Sequence, residues 1–483
     1  MLSALILIPL ISAAIIGLTP LSVKNTRTFA IASAAIVLAI NIAISLQFDF
    51  QQDSIQFAED LPWIEWIGLN YHVGIDGLSF PLVWLNSLLT LIAVCASSST
   101  IERPRLYYSM LFLLSAGAAG AFLARDLLLF FLFYELEIVP LYFLIAIWGG
   151  ARRGYAAMKF LLYTALSGIL VLASFLGLVW LTGETTFDYE ILRSHSLPLV
   201  TQLWLLAPLL VGVFIKIPIF PFHTWLPDAH VEASTPISVL LAGVLLKLGT
   251  YALLRFGVGL FLEGWVYLAP WLAVLAGISA LYGASCAIAQ KDMKKVVAYS
   301  SIAHMAYILL AVSATTRLSM TAAVFQMVSH GLISAFLFLL VGMVYKKTGS
   351  RDVDYLRGLL NPERGLPVTG GMMILGVMAS SGLPGMVGFI SEFLVFRGSF
   401  PIFPIPTLMC LVGTGLTAVY FLLVINKVFF GRLTESLSQL PPVEWKEHAP
   451  AFVLLFLIVA FGLKPDWVTH WSEVQAIALL TGG

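Results

Sequence analysis

The sequence of 483 residues is 60% hydrophobic and 11% charged, whereas a soluble domain has about 25% charged residues. It contains 26 Lys and Arg against 26 Asp and Glu, so the formal net charge is zero. This composition excludes a soluble globular protein, argues against a nucleic-acid partner, and predicts an all-α polytopic membrane protein.

A helix needs about 20 predominantly apolar residues to cross a bilayer, and the chain contains a series of such runs. The first run lacks a basic leader and a small-residue cleavage site, so we predict a membrane helix there and not a signal peptide. In all, about 14 transmembrane helices are predicted. The predicted spans are 2–19, 28–46, 80–98, 108–123, 127–147, 158–181, 204–222, 236–261, 268–288, 295–314, 321–345, 369–397, 405–430 and 449–463.

The loops on the two sides of these spans differ in charge. Eighteen of the 26 Lys and Arg, in loops or near span ends, are assigned to one side and six to the other, and the remaining two, Lys216 and Lys247, are assigned to the interior of spans. Because basic loops stay on the side of synthesis, both termini are predicted on the opposite side, lumenal or periplasmic. The longest loop, residues 47–79, has six acidic residues and no basic one. We expect a solvated loop or a short hairpin there.

Two of the predicted spans are interrupted. The seventh contains Pro218 and Pro221, and the twelfth contains Gly382, Pro384 and Gly385. Proline removes a helical hydrogen bond, and free backbone groups are tolerated in a membrane only where they are buried or line a wet cavity. The interruptions are five spans apart, and this odd offset predicts two inverted five-helix repeats, helices 4–8 and 9–13, with helices 7 and 12 broken. The predicted divisions are 1–104 for helices 1–3 and the outer loop, 105–262 and 263–431 for the repeats, and 432–483 for the region of helix 14.

Ionisable side chains recur near mid-depth in both halves. A charge at the bilayer centre costs roughly 2.5–3.5 kcal/mol on insertion scales, so such residues are functional candidates. A lone histidine is more often a packing residue, and a lysine near a helix end usually extends to the interface. Here carboxylates, lysines and histidines recur together, and we predict a proton relay. Its candidate residues are Glu135, Lys216, Lys247, His304, His330 and Glu392, with Glu137 as a further candidate, either as a second relay site or as a contact to a neighbouring subunit.

The sequence has no Cys/His ligand set, phosphate-binding loop or dinucleotide fingerprint. We therefore predict no metal and no cofactor bound to this chain. The free energy for proton movement then has to come from electron transfer in a partner or from a sodium/proton gradient.

Several stretches resemble the antiporter-like subunits of respiratory complex I. They are YELEIVPLYFLIAIWGG, FPFHTWLPDAHVEAS, KDMKKVVAYSSIAHMAYI, FQMVSHGLISAFLFLLVGMVY and GLPGMVGFISEF. The resemblance covers nearly the whole chain and is densest over residues 105–430. The acidic Glu392 and the end of the chain after fourteen spans resemble the chain 4 branch (bacterial subunit M). The second glutamate of YELE resembles the cyanobacterial and chloroplast form of that branch, found in NAD(P)H-quinone oxidoreductase.

This resemblance implies roles for the candidate residues. Glu135 and Lys216 correspond to the Glu–Lys pair of the family, and Lys247 corresponds to its central lysine. His304 and His330 correspond to bridging histidines. Glu392 corresponds to the terminal acidic site.

The resemblance also implies the setting of the chain. Proton translocation would be coupled to electron transfer from NAD(P)H or ferredoxin to quinone, plastoquinone in thylakoids, with nucleotide, quinone and iron–sulfur clusters bound by other subunits. The implied partners are the homologues of antiporter-like chains 2 and 5, lipid and, in a CO2-uptake paralogue, a CO2-hydrating hydrophilic subunit. The implied location is a cyanobacterial thylakoid or otherwise a bacterial inner membrane. The alternatives are a subunit of a multisubunit Na+/H+ antiporter and a scaffold that anchors a CO2-hydrating partner.

Overall fold

A computed structural model describes residues 1–437 and 439–480. Within this range the chain is a bundle of helices with one two-stranded hairpin. The first half contains α1 (Leu2–Leu18), α2 (Val23–Ser45), β1 (Gln56–Ile64), β2 (Leu69–Ile75), α3 (Phe80–Ala96), α4 (Pro104–Leu123), α5 (Leu127–Leu136), α6 (Ile138–Trp148), α7 (Arg153–Thr182), α8 (Tyr189–Arg193), α9 (Leu199–Lys216), α10 (Trp225–Glu232), α11 (Thr235–Leu240) and α12 (Leu246–Ala252). The second half contains α13 (Leu262–Ile288), α14 (Met293–Ala314), α15 (Arg317–Thr348), α16 (Pro367–Ser380), α17 (Val387–Ser399), α18 (Pro404–Val428), α19 (Trp445–Leu463) and α20 (Asp466–Ala478).

The described residues also form short π-helical and 3-10 segments. Two π-helical segments, Leu241–Leu245 and Leu253–Val258, flank α12 and join it to α11 in one continuous helix. Two 3-10 turns, Glu65–Ile67 and Glu435–Leu437, lie in loops.

Eleven helices within the described residues are long and apolar enough to cross a membrane, with α5–α6 counted once and Thr235–Val258 counted once. Helices α1, α3 and α16 are apolar but shorter. The predicted class, a helical polytopic membrane protein, is confirmed.

The centre of the bundle is formed by α15 and by the segment Thr235–Val258, whose apolar windows are entirely buried. Both are predominantly apolar and buried on every face, as expected of helices surrounded by other helices. Helices such as α7 instead expose Leu162 and Ile169 on one face. Side chains on the two central segments are therefore shielded from lipid by the rest of the chain.

The helices are interrupted where proline and glycine cluster. Helix α9 ends before Pro218 and α10 begins after Pro221, while α16 ends before Gly382 and α17 begins after Gly385. Gly382 and Gly385 have φ of 73° and 92°, a backbone region that glycine enters without steric cost. Pro221 and Pro384 are exposed at the surface of the chain, so each interruption reaches the outside of the bundle.

The hairpin of antiparallel β1 and β2 lies in the loop of residues 47–79 and is tied to the helix ends beneath it. The backbone N–H of Arg125 donates to the carbonyl of His72 at 2.8 Å. The Asp126 carboxylate accepts from the backbone N–H of Asn70 at 3.2 Å. His72 Nδ1 lies 2.7 Å from Asp188 Oδ2. Strand β2 is thereby fixed to the α4–α5 connection and to the loop before α8.

The His72–Asp188 pair predicts a pH dependence of this attachment. The hydrogen bond to Asp188 raises the pKa of His72 above its ordinary value of 6.5 although burial opposes this. Burial favours a higher pKa for Asp188, but hydrogen bonds from His72 and from backbone amides outweigh it and lower that pKa below 3.8. The stabilisation from His72 is fully present below pH 6.5 and is lost as pH rises through the raised pKa of His72. The stabilisation from Asp188 is present above pH 3.8 and is lost as pH falls through the lowered pKa of Asp188.

We therefore expect amide exchange in β2, corrected for the intrinsic rate, to be slowest between pH 3.8 and 6.5. His72→Gln should remove the acceleration seen above pH 6.5, while His195→Gln, which alters a histidine paired with Glu184 instead, should leave it unchanged. A corrected exchange rate in wild-type β2 that stays constant as pH rises would show that the pair does not hold the strand.

A buried ionic cluster lies just before α3. Asp76 is fully buried and lies between the guanidinium groups of Arg125 and Arg255, which are also buried. One Asp76 oxygen accepts from Arg125 at 2.7 Å and also pairs with Arg255. The Arg255 guanidinium further lies 5.4 Å from the ring centroids of Tyr189 and Tyr251. One carboxylate thus joins the hairpin loop, the α4–α5 connection and the end of the central segment Thr235–Val258.

Candidate functional site

A buried ion pair joins α9 to the junction between α5 and α6. Helix α9 ends at Lys216 because Pro218 cannot continue the helical hydrogen bonding. The Lys216 ammonium contacts Glu137 Oε1, and both side chains are almost completely buried. The ammonium also lies 4.2 Å from the ring centroid of Tyr134, a distance typical of a cation–π contact.

The partner of Lys216 differs from the predicted one. Glu135 was predicted to form the pair, but its carboxylate lies against Gly168 of α7, where a Cβ would overlap it. The physical reason is the break at Glu137: Pro140 leaves the Leu136 carbonyl without its helical donor, so α5 ends there and α6 begins after Glu137. The prediction that Glu135 pairs with Lys216 is therefore wrong for this structure.

Lys247 occupies the centre of the bundle, on α12 between the two π-helical segments. The side chain is fully buried. Its ammonium donates to the carbonyl of Ala242 at 2.6 Å, five residues back, and lies 2.7 Å from His330 Nδ1 on α15. The wider π-helical turn at Leu241–Leu245 places that carbonyl beside the lysine, and π-helical turns are frequent at functional sites.

His330, His304 and Glu392 extend this line into the second half. The rings of His304 and His330 lie 5.7 Å apart between centroids. His304 Nε2 is 3.2 Å from Glu392 Oε1, and the other carboxylate oxygen accepts from Thr414 at 3.0 Å. All three of the predicted residues are buried. Helix α17, which begins after the interruption at Gly385, carries Glu392 in its second turn.

A small polar cavity of about 10 Å³ lies among these groups, which is room for about one water molecule. The side-chain amide oxygen Oε1 of Gln326 is buried and has no hydrogen-bond partner, so the residues lining the cavity include a free acceptor as well as two imidazoles. The polar residues lining it include His304, Gln326, Ser329, His330, Ser380 and Glu392.

The six predicted residues thus fall into three positions. Lys247, His330, His304 and Glu392 form a line of neighbouring groups through the centre. Lys216 packs against Gly249, which is two residues after Lys247. A Cβ added at Gly249 would lie 3.1 Å from the Cβ of Lys216. Glu135 is half-buried against Gly168 of α7, on the other side of the α5–α6 junction from the Lys216–Glu137 contact. Such a line of alternating donors and acceptors can transfer protons, since each group is able to hold or release one.

Sequence reasoning missed buried ionisable groups on the side of the basic loops. The fully buried His230 stacks on Phe338 with ring centroids 4.4 Å apart, and neither ring nitrogen has a hydrogen-bond partner. Buried Lys294 donates to the carbonyl of Ala233 at 2.6 Å. The stretch FPFHTWLPDAHVEAS contains His230 between Asp228 and Glu232, so no isolated polar residue in an apolar run marked it in the sequence.

The part of the chain that the structure describes contains no cluster of three or more His, Cys, Asp and Glu side chains arranged to hold a metal ion.

Known proteins match the chain along its whole length. It is 42% identical to NAD(P)H-quinone oxidoreductase chain 4 1 of Synechococcus sp. (strain JA-3-3Ab), over 99% of this chain and 92% of the relative. It is 40% identical to chain 4 3 of the same enzyme from Trichormus variabilis, over 99% and 91%. A chain of respiratory complex I from Thermus thermophilus superposes with a TM-score of 0.92 at 27% identity, covering 100% of this chain and 99% of that one.

A chain of the Mrp complex from Dietzia sp. superposes with a TM-score of 0.89 at 21% identity, over 99% of this chain and 97% of that one, which shows a shared fold. The family model described as "NADH:quinone oxidoreductase/Mrp antiporter, TM" matches residues 124–417, which include every candidate residue of the relay. Taken with its full-length relatives, this match shows that the chain belongs to the NADH:quinone oxidoreductase/Mrp antiporter transmembrane family.

Proposed function

We propose that the chain is a proton-translocating membrane subunit of an NAD(P)H- or ferredoxin-dependent quinone oxidoreductase. The observation that carries this proposal is the line of groups from Lys247 through His330 and His304 to Glu392, with separations of 2.7 Å, 5.7 Å between ring centroids, and 3.2 Å. It links the first half of the chain to the second through side chains that are all able to bind and release a proton. The 40–42% identity to NAD(P)H-quinone oxidoreductase chains favours quinone reduction as the energy source.

In the proposed relay, a proton on the Lys247 ammonium passes to His330 and then, across the small polar cavity, to His304 and Glu392. Burial destabilises the charged form of each group, and a proton gained by a lysine or histidine adds a positive charge that disfavours protonation of a neighbouring histidine. Histidine exchanges protons near neutral pH with little perturbation, which suits the two middle positions. Lys216, with the two glutamates of the α5–α6 junction, forms the other end of the relay.

We further propose fourteen membrane crossings in two inverted five-helix repeats, with both termini on the lumenal side. The eleven long helices, together with α1, α3 and the interrupted α16–α17, support that number. The two interruptions, at Pro218–Pro221 and at Gly382–Gly385, support the repeat. The contact of the N-terminal ammonium with Glu59 and that of Arg193 with the Ala478 carbonyl support a common side for the termini and the acidic loop.

The exposed surface of the two interruptions supports neighbouring subunits as partners. Pro221, Leu383 and Pro384 are exposed, and non-helical backbone is not tolerated against lipid at membrane depth. Neighbouring protein subunits, such as homologues of antiporter-like chains 2 and 5, would cover these surfaces. Iron–sulfur clusters, nucleotide and plastoquinone would bind to other subunits of a thylakoid complex. A CO2-hydrating subunit would be a partner in a CO2-uptake form of the complex.

Glu392→Gln tests the relay. The amide keeps the shape but cannot bind a proton, so we expect proton uptake per quinone reduced to fall in the purified complex in vesicles, with uptake by this route slowed on the order of tenfold or more. The matched control is Glu190→Gln, an exposed glutamate at the start of α8, which should pump as the wild type does. Normal proton uptake in Glu392→Gln would contradict the relay.

A second candidate function is a subunit of a multisubunit Na+/H+ antiporter, which the shared fold with a chain of the Mrp complex favours. Purification of the chain with its native neighbours separates the two functions. Quinone-reducing subunits and proton uptake independent of sodium would support the first function, while sodium-dependent exchange without electron transfer would support the second.

A further inference from the structure

Two glycines lie where the two central segments cross. Gly243 is in the π-helical segment Leu241–Leu245, Gly331 is in α15, and both are buried. A Cβ added at Gly331 would be 3.1 Å from the carbonyl oxygen of Gly243, and one added at Gly243 would be 3.5 Å from the carbonyl oxygen of Gly331. The two backbones are therefore nearly in contact at this glycine crossing, as small residues allow between membrane helices.

The glycine crossing lies beside the contact that joins the two halves of the chain. Gly243 directly follows Ala242, whose carbonyl accepts from Lys247 at 2.6 Å. Gly331 directly follows His330, and the Lys247 ammonium is 2.7 Å from His330 Nδ1. A proton passes directly between two groups only when they are about 2.6–3.2 Å apart. The distance between the backbones at the crossing therefore decides whether these two groups stay within that range.

Two leucines of α3 fill the space beside the glycine crossing. Leu85 and Leu89 are one turn apart and fully buried. A Cβ added at Gly243 would overlap a methyl group of Leu89, and a Cβ added at Gly331 would overlap a methyl group of Leu85. This leucine pair thus occupies the space that side chains on the two central segments would need. Glycine weakens a helix interior, so a glycine opposite each leucine indicates a requirement for close packing at this place.

Hydrogen bonds on another face of α3 keep the leucine pair in position. Asn86, the residue after Leu85, donates from Nδ2 to the carbonyl of Ser115 on α4 at 3.0 Å. Thr90, the residue after Leu89, donates from its hydroxyl to that of Ser115 at 2.9 Å. Polar side chains of this kind join neighbouring helices in a membrane. They fix the rotation of α3 and hold it against α4.

We propose that the leucine pair of α3 packs into the glycine crossing and thereby holds the Lys247 ammonium within proton-transfer distance of His330. The two leucines and the two glycines are positioning residues, because none of them carries the proton. This inference rests on the proposed proton-translocating function and deepens it by naming residues that determine the rate of its central step.

The substitution Gly243→Ala in the whole complex tests the proposal. The measurement is proton uptake into vesicles relative to quinone reduction, with the uptake that remains in Lys247→Met subtracted as the contribution of other subunits. The added methyl group has to displace Leu89, and close-packed neighbours transmit that strain to the crossing. A misplacement of about 1 Å can slow a reaction on the order of 100-fold, and for a smaller shift we expect uptake through this chain to fall on the order of tenfold. Wild-type uptake in an assembled Gly243→Ala complex would overturn the proposal.

A second substitution should restore uptake. Leu89→Val removes one carbon where Gly243→Ala adds one, so the double variant conserves the volume of the core. The remaining neighbour of the new methyl group, the carbonyl oxygen of Gly331 at 3.5 Å, is at an ordinary contact distance. We expect the double variant to reach uptake within roughly twofold of wild type. A double variant no better than Gly243→Ala would overturn the proposal, since a chain that is merely destabilised gains nothing from a further substitution.

The other side of the crossing gives a contrasting result. In Gly331→Ala the new methyl group meets Leu85 and also the carbonyl oxygen of Gly243 at 3.1 Å, which is backbone and cannot be shortened. Leu85→Val should therefore restore uptake in Gly331→Ala only in part. Complete recovery in that double variant would show that the backbones do not set the distance and would overturn the proposal.

Gly342→Ala is the matched control. Gly342 is also on α15, 12 residues after His330, and a Cβ there would overlap the side chain of Thr235 at the start of the other central segment. The substitution strains the same two segments away from the relay, so heat inactivation should be faster while proton uptake per quinone reduced stays that of wild type. A loss of uptake equal to that in Gly243→Ala would overturn the proposal.

If Gly243→Ala does not assemble, Leu89→Ala carries the test because it adds no atom. It leaves space beside Gly243 in which the crossing can loosen, and uptake through this chain should fall by roughly threefold or more. Wild-type uptake in Leu89→Ala would overturn the proposal.

Failure of this inference is distinguishable from failure of the proposed function. Wild-type uptake in Lys247→Met would overturn the function and this inference together. Loss of uptake in Lys247→Met, combined with wild-type uptake in Gly243→Ala, would leave the function in place and overturn only the role of the leucine pair.

Discussion

Lys247→Met is expected to abolish proton uptake through this chain while the complex still assembles. Methionine has a similar length and no proton to transfer, so the relay ends at His330, which loses its neighbour at 2.7 Å. Removing a positioned proton-transfer group slows proton transfer on the order of 100-fold or more. The assembled complex should persist because an apolar side chain is tolerated where a buried charge is removed, although the Ala242 carbonyl loses its donor at a cost of about 1 kcal/mol.

The measurement is proton uptake into vesicles containing the purified complex, relative to quinone reduction. The matched control is Lys427→Met, which removes an exposed lysine paired with Asp354 at 2.8 Å and should have no effect on uptake. Wild-type uptake in Lys247→Met would exclude Lys247 from the relay. A complex that lacks this chain would point instead to a structural role for Lys247.

Asp76→Asn is expected to have the largest effect on stability. The substitution leaves Arg125 and Arg255 buried together without the carboxylate that separates them. Removing one partner of a buried ion pair costs about 3–5 kcal/mol, and here two like charges remain. Burial opposes ionisation of Asp76, but the two guanidinium groups hold its pKa well below the usual range, so acid alone should not release the cluster.

The temperature of inactivation and the amount of assembled chain measure this effect. The exposed Asp49→Asn is the matched control and should behave as wild type. Adding Arg125→Gln to Asp76→Asn removes one of the two cations and should recover part of the lost stability. A wild-type inactivation temperature for Asp76→Asn would show that the cluster does not hold the hairpin loop to the bundle.

Several residues of the central line were predictable because their chemistry is unusual for their surroundings. Lys247, His304, His330 and Glu392 are polar groups in apolar runs, and such residues are kept in a membrane only when they have partners or a task. The positions of the helix interruptions were predictable for a similar reason, since proline and glycine act locally on the backbone.

The partner of Lys216 could not be predicted. The side chains of Glu135 and Glu137 point in different directions from the helix axis. The direction of each side chain depends on the change in backbone direction at the break before Pro140, which the sequence does not specify. The π-helical segments around Lys247 were equally hidden, because the mostly apolar sequence of that helix carries no signal for wider turns. The pair of His72 in β2 and Asp188 connects residues that are far apart in sequence. Neither hydrophobic periodicity nor composition predicts such a contact.

The enclosure of α15 has a consequence for how the protein responds to its bilayer. His330 lies on a helix whose apolar length is surrounded by protein, so acyl-chain length and headgroup type act on the relay only through the outer helices. Glu135 and the exposed turns at Pro221 and Pro384 lack this insulation. A change of lipid should therefore alter how the chain exchanges protons with its surroundings far more than how protons move within it.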